Sequence, residues 1–318
     1  AFGANMTTLS FSLARALARG LEPGDEIIIT DLDHEANRAP WLGLEEMGAK
    51  VHSVRFHPEG CTLDFEHLES LVTSRTRVAA IGAASNAVGT QTDLARVRKT
   101  LPEGCVLVVD GVHYTPHRPV DVREMDCDFF LCSAYKFFGP HVGVLYGRGE
   151  VFAKLATDRV RPQKNEIPDR IETGTLNHEG MAGTAAAVAF MADPESSGVP
   201  RTRDNILSSI SRMGAYEDAL FETLYRGLES IPTVRIYGPP PDHARTPTAA
   251  FTLDGLDART VAENLAKKGI FSWDGHFYAM TLVEKLDPGP GGLVRVGLAP
   301  YNTSEEVDRF LNSIEDMI

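Results

Sequence analysis

The sequence predicts an α/β protein: a mostly parallel sheet sandwiched by helices, followed by a smaller α+β unit. Two observations carry this reading. Over the first two-thirds of the chain, short apolar runs alternate with amphipathic stretches, joined by brief connections rich in Gly, Pro or Asp, such as LEPGDE, HPEGC and LPEGC. The last third opens instead with one long helical pattern and then mixes strands with helices.

Taken in order, the apolar runs at 26–30, 51–55, 78–83, 106–110, 129–133 and 142–146 predict strands. Leu9, Leu13 and Leu17 recur at helical spacing and predict a helix over 8–18; the segments 36–47, 65–72 and 94–100 repeat that pattern between strands. The stretch DPESSGVPRTR, at 193–203, is polar, turn-rich and aperiodic. It divides the chain into a large unit over 1–195 and a small C-terminal unit over 196–318. Beyond it lie a long helix at 205–230, strands at 234–237, 249–253 and 293–297, and helices at 258–268 and 304–317. Thr303, with Glu306 three residues on, gives the last helix a capping signature.

Composition narrows the function. Hydrophobic residues make up 43% of the 318 and charged residues 24%, which is globular and excludes a mostly disordered chain. The net charge of −13 repels polyanions and argues against nucleic acid as a partner. No apolar run approaches the roughly 20 residues that span a bilayer, and AFGANMTTLSF lacks the pattern of a signal peptide, so a cytoplasmic protein without a membrane partner is expected. The four cysteines (Cys61, Cys105, Cys127 and Cys132) form no CxxC pair; residues 127 and 132 fall on opposite faces of a strand, which argues against a shared metal and for buried structural roles.

The chemistry concentrates where VLVVDG ends in Asp110 and where Lys136 follows a second apolar strand in CSAYKFFGP. Ligands of open parallel sheets bind beyond the carboxyl ends of the strands, so this carboxylate and this lysine are expected to share a crevice. Pyridoxal phosphate catalysis needs a lysine for a Schiff base, a carboxylate for the pyridine nitrogen and donors for the phosphate. The helix start in FGANMTT, with small and polar residues at 3–8, supplies free N–H groups for a phosphate, and Ser133 adds a hydroxyl. A nicotinamide-dependent dehydrogenase shares the α/β pattern, but no GxGxxG turn follows a first strand.

The set FGANMT, DLDHEAN, AASNAVGT, VVDGVHY, CSAYKFFGP, ETGTLNHEG and VRVGLAPYNT resembles the class V aminotransferase family of fold type I pyridoxal phosphate enzymes, in its cysteine desulfurase-like subgroup, over essentially the whole chain. The resemblance implies that Lys136 is the Schiff-base lysine, that Asp110 faces the pyridine nitrogen, and that His34 stacks on the ring and moves protons. It places His113 where the family usually has a glutamine near the phenolic oxygen, and Asn86 near that oxygen and the substrate carboxylate. It assigns the phosphate to Asn5, Met6, Thr7, Ser133 and Thr175, with Tyr135 where desulfurases often carry a histidine. The Thr175 segment comes from the neighbouring subunit in the family, which implies a homodimer with shared sites. Arg295 matches the arginine that holds the α-carboxylate of an amino-acid substrate, for which a bidentate guanidinium is suited.

Two departures accompany the resemblance. Desulfurases carry a nucleophilic cysteine on a loop that corresponds to FSWDGHFYAM, where Tyr278 takes its place and Trp273 stands near an expected arginine. A phenol forms no persulfide, so sulfur transfer is not the expected activity; Trp273 and Tyr278 hint at an aromatic wall. The family also has an N-terminal arm ahead of the segment that begins at Ala1, and the sequence reads as lacking it. The expectation is a pyridoxal phosphate enzyme acting on an amino acid, with the aminotransferase, epimerase and lyase branches open. The alternatives are a desulfurase or C–S lyase that uses another thiol, and a noncatalytic binding protein on the same fold.

Overall fold

The structure, a computed structural model, describes residues 1–195, 198 and 200–318. The expected boundary between residues 195 and 196 abuts residues 196, 197 and 199, which lie outside the described residues. The elements run β1 (Phe2–Gly3), α1 (Met6–Ala18), β2 (Glu26–Thr30), α2 (Ala39–Leu42), β3 (Lys50–Val54), β4 (Phe56–His57), β5 (Thr62–Leu63), α3 (Phe65–Leu71), β6 (Thr76–Gly82), α4 (Leu94–Thr100), β7 (Val106–Asp110), β8 (Phe129–Ser133), β9 (Gly143–Gly147) and α5 (Gly149–Phe152). They continue with α6 (His178–Ala192), α7 (Arg203–Glu229), β10 (Val234–Tyr237), β11 (Thr248–Leu253), α8 (Ala258–Lys267), β12 (Trp273–Gly275), α9 (Met280–Leu286), β13 (Leu293–Gly297) and α10 (Ser304–Glu315).

The large sheet has the order β1-β9-β8-β7-β6-β2-β3. Strands β3, β2, β6, β7 and β8 are parallel, and β9 and β1 close the edge in antiparallel sense. Its central strands are apolar without alternation because helices cover both faces, as a buried parallel sheet requires. One core layer gathers Leu9, Leu13, Ile27, Ile29, Trp41, Phe129 and Leu131 beneath α1. The other holds Ile28, Ile81, Leu107, Val109 and Phe130 and continues into Phe277, Leu282 and Leu293 of the C-terminal region. There a four-stranded antiparallel sheet, β10-β11-β13-β12, packs Phe251, Val261, Leu265 and Phe310 into a third cluster against α7, α8 and α10.

One expected helix differs. Over 36–47 the chain forms a 3-10 turn at Glu35–Asn37, the short α2 and another 3-10 turn at Gly43–Met47. Pro40 lies in the first turn of α2, where its ring prevents a continuous helix from reaching back, and Gly43 ends that helix. The interruption leaves the residues just after β2 free to turn toward the strand ends. The capping box predicted at Thr303 and Glu306 is formed.

Candidate active site

Four neighbouring strands deliver the site from their carboxyl ends. His34 follows β2, Asn86 follows β6, Asp110 ends β7, and Ser133 ends β8 just ahead of Tyr135 and Lys136. Together with Asn5, Met6, Thr7, His113 and Arg295 these residues line one cavity of about 1130 Å³ between the large sheet and β13. Thr175 does not line it; it sits exposed in the turn before α6.

The phosphate end is built by α1. Asn5 caps the helix, its Oδ1 accepting Thr8 N–H at 2.9 Å. Two expected phosphate donors are bonded to each other: Met6 N–H donates to Ser133 Oγ at 2.9 Å, while the Met6 side chain is buried in the core. Ser133 keeps its own hydroxyl proton to give, and Thr7 N–H has no partner among the described residues. Close approach of β9 fixes this corner, since a Cβ on Gly143 would fall 2.4 Å from the backbone carbon of Asn5. The niche therefore presents a helix N-terminus, a hydroxyl and no carboxylate, a donor set that suits a phosphate.

At the opposite end Asp110 is buried and accepts Val112 N–H on Oδ1 at 2.9 Å; burial pushes its pKa up to about 6. A buried carboxylate in this state calls for a cationic or proton-bearing partner, and its Oδ2 has none among the described residues. Asn86 Oδ1 is likewise buried without a partner, while its Nδ2 donates to the Phe277 carbonyl at 2.8 Å. The Lys136 ammonium is held below its ordinary pKa by burial and by Arg295, which favours a free amine. The donors and acceptors that line the cavity fit pyridoxal phosphate: an acceptor in Asp110, anion donors at the start of α1 and in Ser133, and an amine in Lys136.

His34 is fixed in one tautomer. Its Nδ1 accepts Ala36 N–H at 2.9 Å, so the neutral ring carries its proton on Nε2. Burial, then Lys136 and Arg295, push its pKa down to about 4. His113 is also held neutral, its pKa well below the ordinary value chiefly through burial; its Nε2 meets Thr246 Oγ1 at 2.9 Å and Thr248 Oγ1 at 3.2 Å. The Tyr135 ring stacks on His141 with centroids 4.9 Å apart, and Lys136 Nζ lies 5.2 Å from its centre.

Arg295 extends from β13 with NH1 donating to the Asn86 carbonyl at 2.8 Å and its guanidinium 4.7 Å from the centre of the Phe277 ring. Phe277 and Tyr278 both adopt the left-handed backbone region, at φ 55° and 60°. That conformation is uncommon for aromatic residues and persists only where the surroundings fix it. Here Asn86 holds the Phe277 carbonyl, and Glu35 N–H donates to the Tyr278 carbonyl at 2.8 Å.

One residue not singled out in the sequence belongs to the site. Asp33 is buried, accepts Gly82 N–H at 2.8 Å and the Asn37 amide at 3.3 Å, and faces Asp110. Burial first, and the Asp110 charge next, push its pKa up to about 7. A Cβ on Gly82 would fall 2.3 Å from Asp33 Oδ1, so any side chain there would push the Asp33 carboxylate out of its place. Its sequence signal was the second carboxylate of DLDH at a strand end. Among the described residues no group of three or more His, Cys, Asp or Glu is placed to hold a metal.

A doubly covered sheet with a lysine and a carboxylate at adjacent strand ends defines a fold type I pyridoxal phosphate enzyme. The chain belongs to the aminotransferase class-V family, which it matches over residues 2–310, in the cysteine desulfurase-like subgroup. The aminotransferase-like protein FGM3 of Gibberella zeae is 33% identical, with 98% of this chain and 77% of that protein covered. A cysteine desulfurase of Pectobacterium atrosepticum is 31% identical over 93% of this chain and 71% of its own length. Among solved structures, the Escherichia coli cysteine desulfurase CsdA, with an S-sulfonic acid, aligns with a TM-score of 0.86 at 28% identity, covering 99% of this chain and 77% of that one. The protein is therefore a pyridoxal phosphate-dependent enzyme.

Proposed function

We propose that the enzyme acts at the α-carbon of an amino acid held by Arg295, as an aminotransferase, epimerase or lyase, and does not transfer sulfur. The observation that carries this reading is that Lys136 and Arg295 line one cavity; the resemblance that puts Tyr278 at the loop position of the desulfurase nucleophile supports it. Bound pyridoxal phosphate supplies an electron sink that makes a bond at the α-carbon labile.

In this reading Asp110 holds the ring nitrogen in its protonated form, and Ser133 with Thr7 binds the phosphate. Arg295 orients the substrate so that the bond to be broken stands across the ring. Lys136, with its lowered pKa, takes the proton at the α-carbon as general base. His34 acts only as a donor through Nε2–H, because Ala36 occupies its Nδ1 lone pair. The four cysteines support the exclusion of sulfur chemistry: all are buried, and burial pushes the Cys132 thiol, the one nearest Lys136 in the chain, up to about 12.

A cytoplasmic homodimer belongs to the same proposal, with Thr175 contributed to the partner's phosphate site. Among the described residues no helix is long and apolar enough to cross a membrane. The deciding experiment adds a panel of amino acids to the cofactor-loaded protein and follows the visible spectrum together with the products. Spectral change with formation of an oxo acid, an epimer or an elimination product is expected. A spectrum unmoved by every amino acid would overturn the proposal.

A further inference from the structure

Of the exposed aromatic side chains that line the cavity, three stand furthest into solvent: Phe271 is 91% exposed, Trp273 60% and Tyr278 62%. Exposed apolar side chains scattered singly need no account, but a group of them rimming a binding cavity marks a recognition surface. Register ties the group to the substrate. Trp273 on β12 is the cross-strand partner of Arg295 on β13, and directly opposed residues present their side chains on the same face. Tyr278 closes the other flank, held in its left-handed backbone by the contacts to Glu35.

Charge narrows the choice further. The carboxylates lining the cavity are Asp33 and Asp110, both buried at the sheet end, and the remaining fixed cations are Lys136 and Arg295. Among the described residues, no carboxylate lines the mouth to pair with a cationic substrate side chain, and no further cation lines the cavity for an acidic one.

We infer that Trp273, Tyr278 and Phe271 form the side-chain subsite of the substrate and select α-amino acids with a flat aromatic side chain over small, acidic or basic ones. This rests on the reading of Arg295 as the α-carboxylate site. A substrate ring laid on Trp273 leaves water on both faces and places its carboxylate at the neighbouring guanidinium.

The test uses cofactor-loaded protein and carboxylates that lack an amine: 3-phenylpropionate, propionate and succinate. Tryptophan fluorescence reports binding, since Trp273 is exposed whereas Trp41, the other tryptophan, is fully buried. Phenylpropionate is expected to bind at least about tenfold more tightly than propionate, the gain of one well-formed aromatic contact. Trp273→Ala, followed by competition with a coloured carboxylate, is expected to bring that ratio close to one, and Tyr278→Ala to reduce it independently. Equal affinities in the unaltered protein, or preference for succinate, would overturn the aromatic subsite while leaving the carboxylate site intact. Failure of all three carboxylates to bind would overturn the Arg295 reading and this inference with it. If the aromatic mouth serves instead as a contact between subunits, phenylpropionate shows no advantage and Trp273→Ala changes the sedimentation coefficient, which also overturns it.

Discussion

The ring of Tyr278 lies over that of His34, with centroids 5.4 Å apart and planes inclined by 27°. The stack covers one face of a histidine whose neutrality rests first on burial. Removing the phenol by Tyr278→Ala is expected to let water reach that face and to raise the His34 pKa from about 4 toward its ordinary value, whereas Tyr278→Phe leaves it low. Titration of the histidine ring protons by NMR measures this. An unshifted His34 in Tyr278→Ala would show that the neighbouring cations, and not the stack, set its state.

Lys136→Ala is expected to abolish the visible absorbance of the bound cofactor and to leave the cofactor removable by dialysis. An amine is needed to bind the aldehyde covalently, and among the described residues no other lysine lines the cavity. Borohydride reduction of the unaltered protein, followed by peptide mapping, should mark Lys136; a mark on any other lysine contradicts the assignment.

Asp110→Asn is expected to keep much of the cofactor binding while turnover falls about a hundredfold. The phosphate niche and Lys136 still hold the cofactor, but the variant forfeits a charged hydrogen bond of up to ~3 kcal/mol, and each ~1.4 kcal/mol is a factor of ten in rate. Near-normal turnover would give the ring nitrogen some other partner.

Release of sulfide from cysteine under reducing conditions is expected to be negligible even at full cofactor loading. Tyr278→Cys should recover only a trace if, as the resemblance implies, Trp273 takes the place of an arginine that desulfurases carry beside that loop. Rapid formation of alanine and a persulfide by the unaltered protein would return it to sulfur chemistry.

Asp33 makes the cofactor-free protein sensitive to pH. Its carboxyl holds a proton up to about 7 when folded, whereas an unfolded aspartate loses it near 3.9. The folded state thus binds the extra proton between these values, so the contribution is fully present below the unfolded pKa and is lost as pH rises through about 7. Asp33→Asn removes this dependence. Its melting temperature relative to the unaltered protein should be higher at pH 8 than at pH 5, by on the order of 5 °C. An equal difference at both pH values would mean that Asp33 is ionised throughout.

Most of this site was legible because strand ends are legible. Asp110, Ser133 and Lys136 close or follow apolar runs, so pattern places them at one end of the large sheet, whereas Arg295 interrupts a run of the second sheet and was joined to them only by the family resemblance. Asp33 escaped because an acidic residue beside a turn reads as solvated; its burial depends on the absence of a side chain at Gly82, 49 residues away in sequence. Helix α6 escaped for another reason: HEGMAGTAAAVAFMA has small and apolar residues on all sides, so no helical stripe stands out. The partnership of Trp273 with Arg295 was equally hidden, since antiparallel register is settled by tertiary packing and leaves no trace in spacing.

The corner where Met6 N–H meets Ser133 Oγ joins residues 127 positions apart, and Gly143 locks against Asn5 in the same place. Chain entropy opposes such a long-range closure, and no local preference of either segment repays it. A phosphate-bearing molecule seated there, as proposed above, would act as a clasp between the entrance of α1 and strands β8 and β9, and only in the folded protein. Occupancy at a hundred times the dissociation constant adds about 2.7 kcal/mol to global stability. Supply of the vitamin-derived cofactor would then govern how long each molecule survives proteolysis as well as how fast it turns over.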